Sequence, residues 1–203
     1  MIIGPKFKIA KRLGAPIFEK TQTQKFELSL ARSSKNKRGF RHSQMSDYKI
    51  QLLEKQKMRF TYGISEKQLR RYVKESVKKS HRPIELLMIR LESRLDNVVY
   101  RLGIAKTRRL ARQIVSHGHI CVNGKRMTVP SHKVKINDVV SVREESKKSV
   151  LFTSLKENYE SVALPAWLTF EINNLSGTVE KLPMYNQSES LFDPKQVMEY
   201  YSR

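Results

Sequence analysis

The stretch from Thr107 to Gly124, TRRLARQIVSHGHICVNG, decides the fold. At about 100° per residue, Arg108, Arg109, Arg112, Gln113 and Ser116 share one arc of a helix, and Leu110, Ala111, Ile114 and Val115 share the other. Thr107 is placed to cap the free N–H groups of the first turn, and Gly118 suits the left-handed stop. The apolar arc must bury, whereas the polar arc holds three arginines and no carboxylate and points to an anionic partner. Beyond the helix, Ile120 and Val122 alternate with Cys121 and Asn123. Asn123-Gly124 then predicts a two-residue hairpin turn with positive φ.

Working outward, Leu87, Leu91, Leu95, Val98, Val99 and Leu102 fall at helical spacing after Pro83, and Gly103 supplies the end, which predicts one helix across this span. Met127 and Val129 read as the return strand of the hairpin. Val134, Ile136, Val139, Val140 and Val142 read as further short strands around an Asn137-Asp138 turn. The strands around Trp167 to Ile172 and Thr178 to Leu182 extend the same sheet. Asp193-Pro194 opens a terminal helix whose Val197, Met198 and Tyr201 need an apolar partner.

Tyr48, Leu52 and Phe60 share a helical face closed by Gly63. Ser65-Glu66-Lys67-Gln68 reads as a capping box opening a helix that buries Leu69, Tyr72, Val73 and Val77. Arg70 and Arg71 lie off that stripe, and Ser80 to Pro83 reads as a joint. The expected class is α+β. A basic N-terminal arm spans residues 1–45, a helical domain spans 46–82 and is completed by a terminal helix in 190–203, and an inserted α+β domain with an antiparallel sheet spans 83–189, its RNA-binding platform centred on about 91–145.

Charge speaks about partners. The chain of 203 residues carries 40 Lys and Arg against 19 Asp and Glu, a net charge of +21. Residues 1–45 hold 11 basic and 2 acidic groups, whereas residues 146–203 hold 6 and 7, so the basic surface belongs to the earlier part. In the N-terminal segment Lys6, Lys8, Lys11, Arg12, Lys35, Lys37, Arg38 and Arg41 are candidate phosphate contacts, with Phe7, Phe26 and Phe40 interleaved, and the segment is expected to be poor at folding alone. His117 and His119, beside the arginine face, are read as donors to phosphate or base groups, and Asn123, Lys125 and Arg126 extend the face along the hairpin.

Catalytic and metal chemistry find no ligand or nucleophile set. Cys121 lies two residues from His119, but no third orienting group accompanies them. A buried strand cysteine is the better reading, and a lone cysteine cannot form a disulfide framework. Two histidines across a glycine fall short of a metal site. No Gly-rich phosphate loop, HExxH or GxSxG occurs. No run approaches the roughly 18 apolar residues needed to span a bilayer, and Met1 to Lys6 lacks a signal-peptide pattern, so no membrane is expected and the expected compartment is cytosolic or organellar.

These residues together resemble one family, the fourth small-subunit ribosomal protein in its bacterial or organellar form. The resemblance rests on Gly4-Pro5-Lys6 with Arg12-Leu13-Gly14, on Gln51 to Gly63 (QLLEKQKMRFTYG) and on Leu91 to Gly103 (LESRLDNVVYRLG). Ala111-Arg112-Gln113, Ser116 to Ile120 and Val122-Asn123-Gly124 follow in order, so it covers nearly the whole chain. It implies a non-enzymatic primary binder of small-subunit rRNA that holds a multi-helix junction in the 5′ domain, nucleates assembly of the subunit body and contributes to translational accuracy. It also implies contact with the fifth small-subunit protein and proximity to mRNA where it enters the subunit, with a cytoplasmic ribosome as the location or an organelle-encoded equivalent. Within the resembling stretches, Lys55, Lys57 and Arg59 join the candidate rRNA contacts. Some members place a zinc-binding cysteine cluster near the N-terminus, but residues 1–45 here hold no Cys, which excludes such a zinc site on ligand chemistry, and no other cofactor is implied. RNA-modifying enzymes and some aminoacyl-tRNA synthetases carry a similar platform but need a large catalytic domain, for which residues 146–203 are too short. A ribosome-associated rescue or heat-shock factor with the same platform is the alternative, and it lacks the helical first domain. A DNA-binding regulator would need a recognition helix with a dimer-spaced partner.

Overall fold

The computed structural model describes residues 3–35, 45–158, 164–184 and 190–202. The chain divides into two compact units. The first comprises Met1–Ile84 and Asn186–Arg203, the second Glu85–Tyr185, so the second is inserted into the first. No helix among the described residues is long and apolar enough to cross a membrane.

In the first unit, α1 (Lys6–Leu13) stops at Gly14, whose φ of 68° closes the helix in the left-handed region. A 3-10 turn over Glu19–Thr21 and α2 (Gln24–Lys35) follow. Ala10, Phe18 and Phe26 form a small core against which Phe60 packs. The arm expected to be poor at folding alone thus carries two helices and a 3-10 turn between Lys6 and Lys35, its aromatics closing on one another and on Phe60 of α3. Lys37, Arg38 and Arg41 lie outside the described residues.

α3 (Asp47–Thr61) and α4 (Glu66–Lys79) join through Gly63 at φ 61°. Ser65 accepts from the Gln68 N–H, but the Gln68 amide donates to the Tyr72 hydroxyl at 2.9 Å, so only half of the expected capping box forms. Val77 is exposed and Ser76 takes the buried position. The terminal helix α9 (Pro194–Ser202) lies in this unit against α3. Phe192 meets Tyr62 edge to face, the Asp193 N–H donates to Glu54 at 2.9 Å, and the Tyr201 hydroxyl donates to Glu66 at 2.7 Å.

In the second unit, the expected long helix is two helices, α5 (Pro83–Glu92) and α6 (Leu95–Arg101). The break at Ser93-Arg94 is made by backbone pairing. Arg94 is extended and bridges Lys133, the Ser93 carbonyl accepts from Val134, and the His132 carbonyl accepts from Leu95. Leu91, Leu95, Val98 and Leu102 stay fully buried across the break, which is why the spacing alone did not reveal it. α7 (Arg108–Ser116) follows, then β1 (Ile120–Val122) and β2 (Lys125–Arg126), antiparallel about Asn123 and Gly124 at φ 49° and 75°. The return strand is thus Lys125-Arg126, with Met127 and Val129 beyond it, and of the later valines only Val139–Val142 forms a strand, β3. The segment holding Val134 and Ile136 spends its hydrogen bonds on Ser93 and on the Asp138 turn. After α8 (Val150–Asn158), β4 (Leu168–Glu171) and β5 (Ser176–Val179) complete an antiparallel sheet in the order β2-β1-β3-β5-β4. The core joins α6, α7 and this sheet through Leu95, Val99, Ile114, Ile120, Val140, Phe152 and Leu168.

Candidate nucleic-acid interface

α7 is built as its pattern demands. Thr107 Oγ1 accepts from the Leu110 N–H at 3.1 Å, Ala111, Ile114 and Val115 are buried, and Leu110 packs partly against the core. The opposite side leaves Arg109, Gln113 and Ser116 exposed.

Two of its three arginines are tethered from behind by α6. Arg108 Nε donates to Asn97 Oδ1 at 2.8 Å, and its guanidinium lies 4.3 Å from the centre of the Tyr100 ring. Asn97 in turn donates to Glu92 Oε2 at 2.7 Å, and Glu92 pairs with Arg101 at 3.0 Å. Asp96 takes Arg94 as a two-point partner, Nε to Oδ1 at 3.0 Å and Nη2 to Oδ2 at 2.6 Å, and the same Oδ2 stands 3.4 Å from Arg112 Nη1. Arg94, Asp96 and Asn97 are buried, while the Arg112 side chain remains 41% exposed. Arg112 therefore meets solvent from a fixed anchor, and Arg109 has no partner among the described residues. A guanidinium held on one edge loses less side-chain entropy when its free edge meets an anion.

The hairpin joins the C-terminal end of α7. Arg126 Nη2 donates to the His117 carbonyl at 3.4 Å and its guanidinium covers Gly118, where φ is 77° and any Cβ would collide with it. Lys125 and Arg126 are exposed. Lys106, just ahead of the N-cap, is exposed as well; sorting residues by helical arc passed over it because it lies outside the helix.

Two candidates serve the fold. Asn123 Nδ2 donates to Asp138 at 2.9 Å and its Oδ1 accepts from the Val139 N–H at 2.9 Å, so its amide pins the turn to β3 while the residue stays exposed. His119 is half-buried, its ring 6.0 Å from Phe152 and its Nδ1 3.0 Å from Ser146 Oγ, whereas His117 is exposed. Cys121 is a buried free thiol in β1.

In the first unit the basic residues in the second half of α3 are engaged by carboxylates and rings, while Lys49 near its start is exposed. Lys55 is buried, 3.0 Å from Glu66 and 4.2 Å from the centre of the Tyr200 ring. Lys57 pairs with Glu54 at 2.6 Å, and Arg59 lies 3.6 Å from Glu66 and stacks on Phe60 at 4.8 Å. Burial alone would raise the Glu66 carboxyl, but hydrogen bonds from Tyr201 and Lys55 and the charges of Lys55 and Arg59 hold it below its ordinary range. Burial, then the bond to Glu66 and its charge, pushes the Tyr201 phenol far up. Lys55 is thus an internal counter-ion, which corrects its reading as an rRNA contact, whereas Lys57 and Arg59 are engaged by carboxylates but stay partly exposed. Lys8, Lys11, Arg12 and Arg70 are exposed, Arg71 pairs weakly with Glu75 at 3.7 Å, and Lys6 lies 5.7 Å from the centre of the Phe18 ring. Lys35 closes α2.

Residues 1–92 match the family described as ribosomal protein S4/S9 N-terminal domain, and residues 93–140 match the S4 domain. The small ribosomal subunit protein uS4 of Neisseria meningitidis is 40% identical over 202 residues, 99% of this chain and 98% of the relative. The chain belongs to the uS4 family. The Corynebacterium kroppenstedtii uS4 is 49% identical over 158 residues, 78% of this chain and 79% of the relative, and the Chromobacterium violaceum uS4 is 40% identical over 202 residues. uS4-family proteins are structural proteins of the small ribosomal subunit and not enzymes, and their S4 domain binds RNA. In this chain the S4-domain match contains the buried Asp96 and Asn97, α7 and the hairpin.

Proposed function

We propose that this uS4-family chain binds small-subunit rRNA through two separate basic surfaces, one on each unit, and holds a multi-helix junction of the 5′ domain so that the subunit body can assemble. The reading rests above all on α7, where Arg109, Gln113 and Ser116 are open and Arg108 and Arg112 are fixed from beneath by buried side chains. Lys125, Arg126 and His117 continue that surface. Lys6, Lys8, Lys11, Arg12, Arg70 and Arg71 supply the other. Phosphate contacts dominate its affinity, and the shape of the junction sets its specificity.

Contact with the fifth small-subunit protein, proximity to mRNA where it enters the subunit, and a contribution to accuracy belong to the same proposal. The named relatives are bacterial, in keeping with a cytoplasmic ribosome. A rescue or heat-shock factor is the weaker reading because residues 1–92 match a ribosomal N-terminal domain in addition to the platform.

The test is titration of a 5′-domain rRNA transcript at several salt concentrations, paired with fractionation of small subunits after a high-salt wash. The logarithm of the affinity should fall with the logarithm of salt by about 0.7 to 0.9 for each phosphate neutralised. The protein should stay on washed subunits in stoichiometric amount. Equal affinity for unrelated hairpins at physiological salt, or loss in the wash, would sink the proposal.

A further inference from the structure

The first unit contains an open cavity of about 500 Å³ between α1, the Glu19–Thr21 turn and α2. Its apolar wall is Phe26, buried at 3% exposure, and Phe7, 53% exposed, with ring centres 6.1 Å apart and planes 58° from parallel. The Phe7 ring is thus braced by the core yet keeps open surface. Lys8, Lys11, Lys20 and Lys25 stand around the opening, all exposed and none with a partner among the described residues.

A free phosphate has no use for the aromatic wall, and a neutral apolar ligand has no use for four lysines. A flat apolar body flanked by anions satisfies both, which describes a nucleotide within a strand. The base must be unpaired, because the faces of a paired base are covered by its stacked neighbours. The volume lies within the roughly 300 to 1,000 Å³ of pockets that take small ligands. We infer that this cavity receives an unpaired base of the bound RNA, stacked on Phe7, with the lysines on the flanking phosphates. The inference rests on the rRNA-binding reading and adds to it Phe7, Lys20 and Lys25, which the charge pattern of the sequence did not single out.

The experiment uses the full chain with three probes, a short single-stranded RNA, a blunt RNA duplex and adenosine monophosphate, and a 5′-domain transcript carrying 4-thiouridine for crosslinking. Phe7→Leu keeps the apolar volume and removes the aromatic face. It should weaken single-strand binding by about tenfold with an unchanged salt slope and leave duplex binding alone. Lys20→Gln with Lys25→Gln should lower the slope by up to about 2. Crosslinks on the wild-type chain should include residues within 6–29, and this arm decides the matter if Phe7→Leu fails to fold. Unchanged single-strand affinity in a folded Phe7→Leu, crosslinks confined elsewhere, displacement of RNA by an aspartate-rich peptide at equal concentration, or adenosine monophosphate binding as tightly as the strand would each overturn the inference. Failure of the wild-type chain to bind the 5′ domain at all would instead overturn the rRNA reading.

Discussion

α3 and α7 are both rich in basic residues, and they use them in opposite directions. On α3, Lys55, Lys57 and Arg59 meet Glu54 and Glu66, two aromatic rings and α9, with Lys55 buried and Lys57 and Arg59 partly covered. On α7, Asp96 is already held by the buried Arg94, so Arg112 is anchored without being absorbed, and Arg109 has no partner among the described residues. A basic helix becomes a binding surface when the nearby carboxylates are already engaged. Counting charges along the helix does not show this, because the carboxylates that decide it for Lys55, Arg59 and Arg112 lie in other elements.

Arg94 is the strongest lever on this contrast. Arg94→Ala leaves Asp96 buried with only the outward Arg112, and should cost about 3 to 5 kcal/mol in urea unfolding of the second unit. A cost under about 1 kcal/mol would mean that Asp96 is not held from within, and the account of α7 would fail.

Lys55→Met comes next. Losing a charged hydrogen bond to Glu66 should destabilise the first unit by about 1 to 3 kcal/mol, while rRNA affinity and its salt slope stay as they are. A slope that shrinks by a full unit would place Lys55 on the RNA and erase the difference between the two helices.

Acid sharpens the same point. Because the Glu66 carboxyl lies lower in the folded chain than in the unfolded one, its stabilising contribution is complete above the ordinary carboxylate range and is lost as pH falls through the lowered folded value. Thermal melts of wild type and Glu66→Gln should therefore differ most near neutrality and converge on acidification. A gap that does not change with pH would show that this pairing does not titrate as described.

The smallest effect on stability belongs to Arg109→Gln, within about 0.5 kcal/mol of wild type, since the side chain is exposed and without a partner among the described residues. Its rRNA salt slope should nonetheless drop by about 1. An unchanged slope would reduce the outward face of α7 to a solvated surface.

Periodicity and turn chemistry carried much of the fold. The apolar arc of α7, the Thr107 cap, the stops at Gly103 and Gly118 and the Asn123-Gly124 turn all follow from local rules, and α9 could be assigned to the first unit because Val197 needed cover. The break at Ser93-Arg94 was illegible because its cause is pairing with residues far along the chain, and the apolar spacing runs through it undisturbed. The helices within residues 6–35 were not legible, because dense charge obscures the spacing of Phe7, Phe18 and Phe26 and part of their cover, Phe60, comes from α3. Residue type groups Arg108, Arg109 and Arg112 on one arc but does not separate an exposed Arg109 from a buried Lys55. The structural bonds of Asn123 to Asp138 and Val139 were likewise illegible, because both partners lie more than a dozen residues along the chain.

The placement of α9 also sets a timetable. Residues leave the synthesising ribosome in sequence order, so α3 emerges with Gln51 and Lys55 uncovered, and their partners Glu199 and Tyr200 come only after the whole inserted unit has been made. The inserted unit can close its own core before the host unit has all of its parts. The unit that begins first is thus finished last, and the arginine-bearing helix α7 is in place on a closed core while α3 still waits for its lid.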